Sequence, residues 1–174
     1  MISSKLRLLL ILLFLICGLV SVIAQLDHYI TFAFFTTAII LLLGHFRHGP
    51  MLGVLLNLRK GNIPQTESML NSIKRPEWLS SRYQAYYHFA LSLVASHKQD
   101  FESAKVHSLK ALESGFLQNK EKSILYYNLA RVAYEKKDWD TAKNQLNTLE
   151  ELKIEDLHLK KRIQELEEAL KHKA

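Results

Sequence analysis

Histidine is the side chain here with most scope for chemistry, and five of the eight fall into two groups. His45 and His48 stand three apart, a spacing that sets two imidazoles on one helix face where they could share a metal ion. No Glu or Cys stands nearby, and both sit at the edge of an apolar run, so interfacial solvation accounts for them better. His88, His97 and His107 have no partner carboxylate at suggestive spacing and read as solvated or packing histidines. The single cysteine, Cys17, lies inside an apolar run, which excludes an intramolecular disulfide, and no cysteine cluster suggests zinc. There is no Gly-rich phosphate loop, nucleophile elbow or paired-carboxylate constellation. No catalytic residue, metal or cofactor is expected, and the chain does not read as an enzyme.

The elements that would position any site are organised by a short phrase written three times. Its clearer copies are Lys98-Gln99-Asp100-Phe101-Glu102-Ser103-Ala104 and Lys136-Lys137-Asp138-Trp139-Asp140-Thr141-Ala142, and a fainter one is Lys60-Gly61-Asn62-Ile63-Pro64-Gln65-Thr66. In each, a turn-forming Asp or Asn precedes a large apolar residue, and a small residue follows three positions later. Thr66, Ala104 and Ala142 therefore recur at a spacing of 38. A constant period of this size signals stacked supersecondary units.

Periodicity and punctuation divide the soluble-looking part of the chain into helices. After the break at His48-Gly49-Pro50, residues 51–60 read as an apolar helix, turned by Gly61-Asn62, with Asn62 and Gln65 as a capping box and Pro64 in the first turn of the next helix. That helix carries Met69, Leu70 and Ile73 on one face and stops near Lys74-Arg75-Pro76. The second unit pairs residues 81–98 with 101–114, closed by Gly115, and the third pairs 122–137 with 139–152. Residues 156–171 carry Leu159, Ile163, Leu166 and Leu170 on one stripe of a charged helix, the form of a terminal cap.

This pattern resembles the tetratricopeptide repeat, a helix–turn–helix of 34 residues. Ala104 and Ala142 take the signature small position of the second helix. Leu91-Ser92 and Leu129-Ala130 take the leucine-plus-small pair of the first, Phe101 and Trp139 the turn aromatic, and Ala111 a further small position. The departures are a period longer by about four residues, assigned to the links between units, Leu149 at the last small position, and Gly53-Val54 for leucine-plus-small in the first unit. The resemblance implies an all-α solenoid of repeats at about 47–80, 85–118 and 123–154 with a cap at 156–172. It also implies a concave binding face made by the first helix of each unit. That face would hold Met51, Leu55 and Leu58, then Tyr86, Phe89 and Leu93, then Ile124, Tyr127, Asn128, Arg131 and Tyr134, whose steps of three and four put them on shared helix faces. Aromatic rings beside one Arg and one Asn suit a protein or peptide partner.

The first 46 residues read differently. Residues 8–24 and 29–44 are uncharged, and treating them as one span would bury Asp27 at a cost of about 3 kcal/mol. A transmembrane hairpin over residues 1–46 with Asp27-His28 at its tip is the expectation, with a cleaved leader ending at Val22-Ile23-Ala24 as the rival. Lys5 and Arg7 before it, and Arg47, Arg59 and Lys60 after it, orient the repeats to the cytoplasmic side. Residues 45–82 hold six Lys and Arg against two Glu, whereas residues 83–174 are nearly balanced at fifteen against fourteen. This favours anionic headgroups over nucleic acid. A hairpin followed by such repeats also resembles HemY-type inner-membrane proteins of bacteria. The chain is thus expected to be an integral protein of a bacterial inner membrane, a scaffold that holds a protein partner in its groove. The alternatives are a structural protein that homo-oligomerises through the repeats and an enzyme of envelope metabolism.

Overall fold

The computed structural model describes residues 4–25, 27–48 and 51–172, without the side chains of residues 4, 5, 7 and 45–48. The side chains of His45, His48, Lys5, Arg7 and Arg47 and the whole Gly49-Pro50 break therefore lie outside what is described. Every regular element that is described is helical: α1 (Ser4–Ile23), α2 (His28–His48), α3 (Met51–Arg59), α4 (Ile63–Asn71), a 3-10 turn (Pro76–Trp78), α5 (Ser81–His97), α6 (Phe101–Glu113), α7 (Asn119–Glu135), α8 (Trp139–Glu150) and α9 (Leu157–Lys171). From α3 onward consecutive helices pair and the pairs pack on one another in chain order, as in an α-solenoid.

The repeated phrase makes the same turn three times. Gly61, Gln99 and Lys137 take left-handed backbone with φ of 70°, 61° and 61°. The amides after them reach back five residues, Asn62 to the Asn57 carbonyl, Asp100 to Ala95 and Asp138 to Ala133, at 2.9–3.0 Å. This bond pattern closes the last carbonyls of the first helix. The side chains of Asn62, Asp100 and Asp138 then accept from the amides of Gln65, Ser103 and Thr141 and cap the second helix. At Asn62 the box is half formed, because its own amide is already taken by Asn57 and Gln65 has nothing to close upon.

The small residues lie where the paired helices cross. Thr66, Ala104, Ala111, Ala130 and Ala142 are all 0–1% exposed, and Ser92 meets Ser108 across the α5–α6 crossing at 2.7 Å. Leu91 flanks the cluster that joins α3 to α5, Phe101 flanks Ala95, Ala104 and Val132, and Leu129 is buried. Each junction has its own core. Met51, Val54, Leu70, Leu79, Ala90 and Val94 join the first pair to α5; Ala85, Phe89, Ala111, Leu117 and Leu125 join α5 and α6 to α7. Ala130, Leu146, Leu149, Ile163 and Leu166 join α7 and α8 to α9, so Leu149 fills space against the cap where a further repeat would need a small residue.

Two expectations are corrected. Helix α7 begins at Asn119 rather than near residue 122, so only residues 114–118 link it to α6, whereas the longer link expected between units is present at residues 72–80, between α4 and α5. The transmembrane anchor is the larger correction: among the described residues no helix is long and apolar enough to cross a membrane. The uncharged parts of α1 and α2, residues 8–23 and 29–44, are sixteen residues each. At 1.5 Å per residue that is about 24 Å, short of a hydrocarbon core of about 30 Å. Integral-membrane localisation and the sidedness built on it fall with that finding. The two helices do pack as a hairpin: Phe14 lies 6.2 Å from Phe34, Gly18 accepts the ring of Phe35, and the Ser21 hydroxyl is buried 3.0 Å from Thr31. Their outer surface is apolar, with Leu9, Leu12, Leu19 and Phe32 all more than half exposed.

Gln99 and Lys137 hold a backbone that favours glycine, while at Gly61 a Cβ would meet nothing within 4 Å. Gln99→Gly and Lys137→Gly are therefore expected to stabilise the fold by about 0.5–1 kcal/mol each, and Gly61→Gln to destabilise it by a similar amount. Urea unfolding of the three variants checks both signs.

Candidate functional site

A groove of about 920 Å³ crosses the first helices of the three pairs. Helix α3 contributes Leu52, Leu55, Leu58 and Arg59, helix α5 Arg82, Tyr83, Tyr86, Phe89 and Leu93, and helix α7 Lys120, Glu121 and Ile124, with Ser80 at the edge. The stacking order produces it: first helices lie side by side and second helices cover their backs. On the floor, Tyr86 meets Phe89 edge-on, with ring centroids 6.5 Å apart and planes at 90°, an arrangement that aromatic quadrupoles favour. Phe89 is buried and borders the groove, while Leu55, Leu58, Tyr86, Leu93 and Ile124 are half-buried. Several hundred cubic ångströms of apolar floor with a few polar groups at its margin is the ordinary form of a binding cleft.

The expected groove residues divide into two sets. Tyr86, Phe89, Leu93, Leu55, Leu58 and Ile124 line one continuous surface. Met51 is fully buried beneath it in the α3–α5 core. The four residues from the rest of α7 are elsewhere. Tyr127 packs in the cluster formed with α9. Tyr134 does the same and meets Trp139 edge-on at 5.3 Å. The Arg131 guanidinium donates to the carbonyl of Ser96 at 3.0 Å and lies 5.9 Å from the Phe101 ring, bracing the second unit against the third. Asn128 is 6% exposed, and its side-chain amide nitrogen has no hydrogen-bond partner.

The groove's charged margin was not foreseen. With α7 expected to begin near residue 122, Lys120 and Glu121 fell in a loop; three further residues of helix bring them onto the face that carries Ile124. One oxygen of Glu121 is buried and unpartnered there. Arg59 carried the sidedness and net-charge arguments and Arg82 the net-charge argument alone, although both lie within helices already assigned to the face of the groove.

The structure also joins two histidines that sequence spacing left apart. His88 on α5 and His107 on α6 bring their Nδ1 atoms to 3.2 Å, with ring planes within 19° and centroids 5.3 Å apart. The rings therefore meet nitrogen edge to nitrogen edge, one N–H donating to the other ring's lone pair. The signal was the turn itself: folding a helical hairpin about Gln99 brings residues at similar distances on either side together. Burial depresses both imidazoles, His88 to about 4 with further repulsion from His107 and Lys110, and His107 downward with repulsion from Lys110 partly offset by Asp100. Among the described residues no group of three or more His, Cys, Asp or Glu is assembled to hold a metal ion.

Because the folded pair titrates below the ordinary histidine value, the unfolded chain binds more protons as pH falls from about 6.5 toward 4. Stability that is present above pH 6.5 is therefore expected to decline across that window, and His88→Gln to flatten the decline, as read by urea midpoints at successive pH values. Arg131→Ala is expected to lose about 1–2 kcal/mol of stability through its charged hydrogen bond, in the same unfolding measurement at neutral pH.

No family model matches the chain, and neither does any curated protein or solved structure.

Proposed function

We propose that the helix pairs are tetratricopeptide-like repeats and that the chain works as a protein-interaction scaffold, holding a segment of a partner in the groove across α3, α5 and α7. The observation that carries this reading is the continuity of the groove: apolar and aromatic side chains from three successive units share one open surface. A surface assembled from several repeats recognises an extended feature, such as a run of side chains, better than a single small molecule. The three-fold recurrence of capped turn and small crossing residue supports the repeat assignment. The half-buried rings and leucines support binding, since such groups supply most of the energy at protein interfaces.

The test places charge on the floor. Leu55→Asp combined with Leu93→Asp is expected to abolish capture of a partner that wild type crosslinks in intact cells, while the unfolding transition stays cooperative. Ile124→Asn serves as a second floor variant, and Lys143→Asp on the exposed side of α8 is expected to retain the partner. Equal recovery by wild type and both floor variants would remove the groove from the function.

A further inference from the structure

The groove carries a charge pattern that no ion pair of the fold uses among the described residues. Arg59, Arg82 and Lys120 line it and are exposed, against one carboxylate, Glu121. The ion pairs among the described residues join Lys98 to Glu67, Lys136 to Glu102 and Lys161 to Glu165, so none engages a groove cation. Arg82 and Lys120 are each the second residue of their helix, α5 and α7. A helix N-terminus carries the positive end of the backbone dipole, which disfavours a cation there. Arg82 has no ion pair among the described residues to offset this, and Lys120 is offset in part by Asp156, the cap of α9, whose carboxyl it helps to hold below its usual range. What the two residues have in common is the groove. Glu121 is the complementary anomaly: one of its oxygens is buried at the groove wall with no donor. The residue as a whole is only half-buried, so its carboxylate is the acceptor that the groove lining offers to a ligand N–H or O–H.

We propose that the groove takes a peptide segment of a defined chemistry. Apolar side chains of that segment fill the floor, Asp or Glu on its flanks meet Arg59, Arg82 and Lys120, and one of its N–H, hydroxyl or ammonium groups donates to Glu121. The inference rests on the groove being the interaction site proposed above, and it adds the partner's charge. Complementary rim charges act mainly on encounter rate and on discrimination between partners, and salt screens them.

A random dodecapeptide library displayed on phage is selected on the full chain, kept in mild detergent because of the apolar outer surface of α1 and α2. Enriched sequences are expected to combine an apolar centre with an excess of Asp and Glu on its flanks. Their binding is expected to weaken as salt is raised. Arg82→Glu with Lys120→Glu is expected to weaken the selected peptides roughly tenfold and to turn a fresh selection toward Lys and Arg. Glu121→Leu is expected to weaken them too; tighter binding by that variant would overturn the donor contact. Enrichment with no charge bias would overturn the inference and leave the groove reading standing. No enrichment, or peptides that bind the Leu55→Asp, Leu93→Asp variant as well as wild type, would overturn both.

Discussion

The close approach of paired helices at small buried residues is the constraint on which the rest of the structure depends. Thr66, Ala104 and Ala142 stand at the start of each second helix with essentially no exposed surface, and Ser92 meets Ser108 hydroxyl to hydroxyl where α5 crosses α6. Interiors are packed to crystal-like density, so one added methylene at such a point must push the helices apart or a neighbour out of its rotamer. The hydroxyls that replace alanine at these crossings do not break the rule, because each is satisfied locally: Ser92 by Ser108, and Thr66 by the carbonyl of Asn62 at 2.8 Å. The left-handed residue and the capping Asn or Asp are the other half of the same device. They reverse the chain in three residues, which is tight enough to bring the small residues opposite each other.

From that local geometry the groove follows without further instruction. Each pair covers one side of the next, so cores form between neighbours and stability is accumulated step by step along the chain. First helices are left with one face uncovered. Where the next element is another pair, as after α3 and α5, that face stays open and carries Leu55, Tyr86 and Leu93. Where the stack ends, α9 lays Leu159, Ile163, Leu166 and Leu170 over α7 and α8 and takes Tyr126, Tyr127 and Tyr134 into its core. The cap therefore decides where the groove stops, and Leu149, too large to admit another repeat, belongs to that ending.

The helical architecture was largely legible in the sequence because the signals were local: a capping residue, a turn and a hydrophobic period, all within a dozen positions. The small residues at 38-residue intervals mark positions that the fold buries completely. What stayed hidden depended on neighbours distant in the chain. Tyr127 and Tyr134 share a helix face with Ile124, and only the position of the cap separates their surroundings. His88 and His107 lie on different helices, so their meeting required the register of the α5–α6 crossing. The start of α7 was missed because Gln118 forms no side-chain cap, and with it went Lys120 and Glu121. The two apolar runs were read by composition as membrane spans, a reading that the length of the uncharged helix does not sustain.

Charge in this chain serves two different ends, and the contrast gives the groove its meaning. Asp100 and Asp138, with Asn62 as their uncharged counterpart, accept from the first turn of a helix; hydrogen bonds from Ser103 and Thr141 hold the two carboxyls below their usual range. Those positions exploit the helix dipole and the orphan amides at once. Lys98 and Lys136 tie each unit to a glutamate on a neighbouring second helix, again in the service of the stack. Arg82 and Lys120 do the reverse, placing cations where the dipole opposes them by about 0.3–1 kcal/mol each, and Glu121 leaves a buried oxygen without a donor. The N-termini of α5 and α7, which lack the side-chain cap found at α4, α6, α8 and α9, both border the groove. Under the proposed groove function, Arg82 and Lys120 are the residues at which helix stability and binding ask for different charges.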